Sequence, residues 1–243
     1  MRSDPAAGQA SLSELYRRSS FDYGAEVPNL RATYGRYLAK AKAHSRGRSF
    51  LEIGCGNGFM LEEALAQGYE EVRGVEPSRK AIDAAAPSVR ARILLDIMKP
   101  GLFEPGEFDT ACMFQVFDHL PEPGALLDQV RAVLSARGVL LCFNHNVGSL
   151  SARILGERSP IVDIEHCYLY SPRTMKLLLE RHGFDVVESG AATNTLSFRH
   201  FLHLLPTPAG LKRRLLAAAD STRVARMPLR LPLGNLYVIG QRT

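Results

Sequence analysis

The feature that most constrains this chain is the run from Phe50 to Gly58, Phe-Leu-Glu-Ile-Gly-Cys-Gly-Asn-Gly. An apolar, β-prone segment enters three closely spaced glycines, and a helix-patterned segment opens near Phe59. Glycines at a strand-to-helix turn allow a sharp reversal and leave no Cβ between backbone and ligand. Ligand atoms can then approach the backbone N–H groups at the helix start. The spacing is G-x-G-x-G. A dinucleotide-binding turn uses G-x-G-x-x-G, and here Phe59 stands where its third glycine belongs. No G-x-x-x-x-G-K-[ST] string occurs, which excludes a P-loop.

Downstream of residue 49, short β-rich runs alternate with helical periodicity, the rhythm of a parallel sheet with crossover helices. Strands are expected at 50–53, 71–75, 91–95, 108–114, 139–144, 185–188 and 236–240. In the helix expected over 122–137, Leu126, Leu127, Val130, Val133 and Leu134 recur at helical spacing. Another starts at Ser171 as N-cap, with Pro172 in the first turn and Gly183 as its left-handed stop. Segments 12–18 and 30–43 also read as helices. The stretches 145–170 and 190–232 are too long for simple connections and are expected to be functional insertions.

Composition narrows the function classes. Of 243 residues, 46% are hydrophobic and 23% charged, as in an ordinary soluble domain. No apolar run reaches membrane-spanning length, and the N-terminal residues lack the apolar stretch of a secretory signal. The cysteines, Cys55, Cys112, Cys142 and Cys167, show no C-x-x-C spacing, which fits a reducing cytoplasm and a cytoplasmic location. The net charge of +5 is concentrated in 197–232, where seven basic residues face one acid, Asp220. That segment is either a solvated face or a contact for anionic ligand, lipid surface or second subunit. It lacks the interleaved aromatics of an RNA-binding surface, which argues against nucleic acid.

Several ordered strings across 48–190 resemble those of the class I S-adenosylmethionine-dependent methyltransferases. Glu52 through Gly58 looks like the first motif, with Gly54, Cys55 and Gly56 supplying backbone to the cofactor. The string Val-Arg-Gly-Val-Glu-Pro-Ser from Val72 looks like the second. Its Glu76, 22 residues after Gly54, stands where an acid accepts from both ribose hydroxyls, with Pro77 beside it. Asp96 and Ile97 follow strand three, where the resemblance implies contact with adenine; Asp96 can equally cap the turn toward Pro100. Phe108 through Leu120 looks like the fourth-strand motif, placing Gln115 near the reactive methyl.

The resemblance implies an α/β fold: a Rossmann-like doubly wound sheet of seven mostly parallel strands, helices on both faces, the last strand antiparallel. It also implies a helical lid at 1–46 before a catalytic domain at 47–243, with Tyr16, Phe21, Tyr23, Tyr34 and Tyr37 either covering the site or anchoring helices to the core. The cofactor would be S-adenosylmethionine and the acceptor a small molecule such as a quinone precursor, sugar or secondary metabolite, with oxygen as the expected acceptor atom. Candidate bases are His119 after strand four, His145 after strand five, and His166, whose Glu-His…Ser-Pro context resembles ubiquinone-type enzymes. Asp118, beside His119, points elsewhere if that segment is helical. No H-x-x-x-H or His/Cys cluster is present, so no metal is expected, and His200 with His203 reads as a polar helix edge. Cys55 reads as a small loop residue, with nothing basic nearby to make it a nucleophile. A nicotinamide-dependent oxidoreductase and a non-catalytic cofactor-binding protein are the rival readings.

Overall fold

In the computed structural model, residues 26–156, 159, 166–205 and 207–243 are described. The helix expected over 12–18, together with Tyr16, Phe21 and Tyr23, lies outside them. Seven strands form one sheet: β1 (Ser49–Ile53), β2 (Glu71–Val75), β3 (Ile93–Leu94), β4 (Phe108–Phe114), β5 (Leu134–His145), β6 (Phe184–Ser197) and β7 (Pro228–Arg242). Their order is β3-β2-β1-β4-β5-β7-β6, parallel except for β7, which runs antiparallel to both β5 and β6. The chain therefore has the seven-stranded doubly wound fold expected, with the last strand reversed.

The pleat sorts the core into two layers. Val139, Leu141 and Phe143 of β5 face one apolar cluster, while Leu140 and Cys142 face the other. The first layer is covered by α1 (Val27–His44) and α2 (Phe59–Ala66). In α1, Tyr34, Tyr37, Leu38 and Ala41 fall on one helical face, all buried. Tyr34 stacks on Phe114 at 4.5 Å between centroids, and Tyr37 packs on Tyr237 at 4.6 Å. The second layer is covered by α5 (Pro123–Val133) and α7 (Pro172–Arg181). Short helices α3 (Arg79–Asp83) and α4 (Pro87–Arg90) connect β2 to β3, and α6 (Leu150–Leu155) follows β5. Helix α7 starts as expected: Ser171 accepts from the Thr174 N–H, Pro172 sits in the first turn, and Gly183 has φ +78°.

Three boundaries differ from the expectation. The helix expected to 137 stops at Val133, because Leu134 is drawn into the sheet opposite Phe108 and the Ser135 hydroxyl donates to Asp109. The third strand shrinks to two residues because the chain turns at once, the Asp96 N–H donating to the Leu94 carbonyl. The stretch 190–232 begins and ends as strand: Asn194 through Ser197 pair with Leu231 through Pro228, lengthening β6 and β7 into a ribbon.

At the ribbon's end, α8 (Phe198–Leu204) and α9 (Ala209–Asp220) form a small cap around Leu202, Ala219 and Ala225. Phe198, Leu205, Leu215 and Leu216 turn into this satellite core, whereas Leu204 and Leu211 remain outside. Helix α1 clamps the ribbon. The Thr195 N–H donates to Thr33 Oγ1 at 2.7 Å, the Thr193 N–H to the Tyr37 hydroxyl at 2.7 Å, and Arg36 reaches Thr193 and Thr195.

Candidate active site

The glycine turn closes β1 against the carboxyl end of β2. Gly54, Gly56 and Gly58 have φ of +72°, +54° and +74°, the left-handed region that glycine enters without penalty. The Gly54 N–H donates to the Val75 carbonyl at 2.8 Å, and a Cβ there would stand 2.4 Å from Val116 Cγ2. The turn is thus pinned from two sides. Cys55 points inward, its sulfur 2.5 Å from where a Cβ on Gly74 would lie, and burial pushes its thiol well above the usual range. It offers the loop its backbone.

Two acids meet at this turn. Glu76, 8% exposed, accepts from the Gly56 N–H at 2.8 Å through one oxygen and from the Ser78 N–H at 2.9 Å through the other. Burial raises its carboxyl above the ordinary range, against the opposing pull of those two N–H groups. Glu52, 3% exposed, is in a harsher position. Burial first, then the charge of Glu76, push its carboxyl well upward, and its Oε2 is buried without a hydrogen-bond partner.

A second buried acceptor follows β4. Gln115, just past β4, holds φ +57°, a strained value for a residue with a side chain, fixed by donation of its N–H to the Phe143 carbonyl. Its Oε1 is also buried without a partner. Orphaned buried acceptors are costly in a native structure and need a donor to offset them. A ligand that brings donors and positive charge into a glycine-lined turn meets that need, and the ammonium, ribose hydroxyls and sulfonium of S-adenosylmethionine are such groups. Asp96 is at the next loop, its carboxylate accepting from the Ile97 N–H and paired with Lys99 at 2.5 Å. Ile97 is 41% exposed, an apolar wall open to a flat ring.

The imidazoles gather one loop further along. His119 ends a short 3-10 turn (Phe117–His119), His145 ends β5, and His166 precedes α7. The His119 and His145 rings each lie 4.7 Å from the His166 ring. Asp118, on the same turn as His119, reaches His145 instead. Its carboxylate, fully buried, accepts from the His145 backbone N–H and ring Nδ1 through Oδ2, both at 2.9 Å. The buried Asn144 amide oxygen, turned toward the turn, takes the Phe117 and Asp118 N–H groups at 3.2 Å. The Tyr168 N–H donates to the Asp118 carbonyl at 3.2 Å.

A model of the methyltransferase domain matches residues 27–189. This chain belongs to the methyltransferase family. Its seven-stranded sheet is that of the class I, S-adenosylmethionine-dependent members. A ubiquinone biosynthesis O-methyltransferase of Paraburkholderia xenovorans is 30% identical over 124 residues, covering 48% of this chain and 53% of the relative. One from Ralstonia nicotianae is 32% identical over 87 residues, 33% of this chain and 36% of the relative. The chain thus spans about half the length, or less, of these curated relatives. An S-adenosylmethionine-dependent methyltransferase of Archaeoglobus fulgidus superposes with a TM-score of 0.60 at 18% identity, over 97% of this chain and all of that one. The likeness is one of fold. Sequence reasoning did not bring Asp118 to His145, which lies 27 residues away at the end of β5.

Proposed function

We propose that the methyltransferase moves a methyl group from S-adenosylmethionine to an oxygen of a small-molecule acceptor. The observation that carries the reading is that Glu52 Oε2, next to the left-handed glycine turn in sequence, and Gln115 Oε1, just past β4, are buried acceptor atoms without a partner. The cofactor, when bound, supplies a methyl group already activated on a positively charged sulfur. Glu76 takes the ribose hydroxyls, the Gly54 to Gly56 backbone lies against the ligand, Glu52 faces the cationic end, and Pro77, Asp96 and Ile97 border the adenine. Gln115 orients groups near the methyl. Alignment of acceptor, methyl and sulfur contributes up to about 7–11 kcal/mol of barrier lowering.

A hydroxyl acceptor must also lose a proton, for which a positioned base is worth about 10²–10⁴-fold. The cluster of His119, His145 and His166 with Asp118 is suited to that step. Oxygen is favoured by the histidines and by the similarity to proteins named ubiquinone biosynthesis O-methyltransferases. Of the lid expected over 1–46 only residues 26–46 are described, and these are read as part of the cover over this pocket. Exposed Leu204 and Leu211 beside exposed Arg213 and Arg214 are read as a contact for an anionic lipid surface, suiting an apolar acceptor delivered from a membrane. Among the described residues no helix is long and apolar enough to cross a membrane.

Calorimetry with S-adenosylmethionine and S-adenosylhomocysteine, with NADH as control, tests the cofactor. Binding of both sulfur compounds and loss in Glu76→Ala, with the fold retained by circular dichroism, is expected. Binding of NADH instead would overturn the reading. Methyl transfer to a panel of catechols, phenols and sugar hydroxyls then tests the acceptor, and transfer only to amines or carbon acids would refute oxygen.

A further inference from the structure

We propose that Asp118, His145 and His166 form a site for a first-row divalent transition-metal ion, of the zinc or cobalt type, at the acceptor end of the pocket. Each residue offers one ligand atom, and these atoms all lie within 4.8 Å of one another. Ligand atoms around one tetrahedral ion, at metal–ligand distances of about 2.0–2.2 Å, stand about 3.4 Å apart, so a small side-chain rotation closes the set. His145 Nδ1 and Asp118 Oδ2 stand 2.9 Å apart as a hydrogen bond, whose ring proton the ion would displace.

The groups are held as ligands are. Asp118 is fully buried on a turn fixed by Asn144 and by Tyr168, and both hydrogen bonds to its carboxylate fall on Oδ2. A carboxylate has acceptor capacity on both oxygens, so Oδ1 can meet a cation. Each neutral imidazole offers one lone pair, and the rings of His145 and His166 are in contact. Two imidazoles and one carboxylate select a borderline transition ion over magnesium or calcium, which prefer all-oxygen shells. Three protein ligands leave a coordination position for an acceptor oxygen. The three residues come from the turn after β4, the end of β5 and the loop before α7, which is why no sequence spacing announced them and no metal was expected.

The role of the ion rests on the methyl-transfer reading. A bound cation makes a coordinated hydroxyl more acidic, as it does for zinc-bound water. The acceptor oxygen gives its proton to His119, which is not among the three ligands. That oxygen then bonds to the methyl carbon as the carbon–sulfur bond breaks, the electron pair staying on sulfur. His119 returns the proton to water. The products are an ether, the thioether and one proton, and charge balances.

The test uses the untagged full chain, treated with EDTA and dialysed. Titration with Co²⁺, followed by visible d–d absorption and calorimetry, is expected to show one ion per chain. His145→Ala and His166→Ala should each weaken binding more than tenfold, with Asp118→Asn as a third variant. His200→Ala/His203→Ala, at the separate surface pair, should leave it unchanged. Absence of binding, binding that survives in both His145→Ala and His166→Ala, or binding lost in the surface variant would overturn the proposal. S-adenosylhomocysteine affinity is measured on the same samples. Retained cofactor binding without metal binding sinks only the metal site, and metal binding without cofactor binding sinks only the methyl-transfer reading.

Discussion

Replacing Gly54 with alanine presses on the contact that joins the cofactor turn to the loop after β4. The new Cβ would lie 2.4 Å from Val116 Cγ2, whereas carbon atoms in contact settle at about 3.5–4.0 Å. Val116 must therefore retreat by about 1 Å or more, an overpacking cost of about 1–3 kcal/mol. The backbone adds a separate cost, since φ of +72° in an L-residue is worth about 1–2 kcal/mol. Gly54→Ala should lose roughly 2–5 kcal/mol of stability in urea denaturation, with the m-value unchanged. Val116→Ala removes the obstructing methyl, so the double variant should recover the steric part, a favourable coupling of about 1–3 kcal/mol, and keep the backbone part. Cofactor affinity should follow, because Val116 lies between Gln115 and the turn that carries Asp118. Additive single and double variants, coupling within about 0.5 kcal/mol of zero, would refute the claim that this contact fixes the turn.

Other consequences are equally direct. Glu52 has its carboxyl raised in the fold above its ordinary value of 4.5, so the ligand-free protein should lose stability as pH rises from about that value toward the folded one. Glu52→Gln should flatten that slope in pH-dependent denaturation while weakening S-adenosylmethionine binding; an unchanged slope would refute the assignment. Thr33→Val strips the buried Thr195 N–H of its acceptor and should cost about 1–3 kcal/mol, with faster amide exchange at Thr195. Arg213→Glu/Arg214→Glu should abolish co-sedimentation with vesicles of anionic phospholipid and leave neutral vesicles unaffected; equal sedimentation with both vesicle types would remove the lipid assignment.

The parts of the fold legible in the sequence are those where local pattern and tertiary demand agree. β1, the glycine turn and Glu76 are contiguous or nearly so, and the near-continuous apolar runs of β4 and β5 read directly as strands buried on both faces. Disagreement arises where a distant partner decides. Leu134 has helical spacing yet leaves the helix to pair with Phe108, and the ribbon residues 190–197 carry little apolar alternation because α1 holds their backbone through Thr33, Arg36 and Tyr37. Asp118 depends on a turn type that one sequence does not reveal. Glu52 and Glu76 were identifiable as acids beside glycines; that one is satisfied and the other is not is a fact of packing.

The reversed strand also bears on how the molecule is made. β7 follows both β5 and β6 in sequence, yet it lies between them and pairs with both. While the ribosome still holds β7, β5 and β6 each present an unpaired edge, and Tyr37 on α1 lacks Tyr237, one of its ring contacts. Translation proceeds at about 5–20 residues per second, so those edges stand open for a second or more in a form prone to pairing with other chains. The half of the sheet around the glycine turn can form early. The half that gathers the ribbon waits for β7 to slide in between β5 and β6.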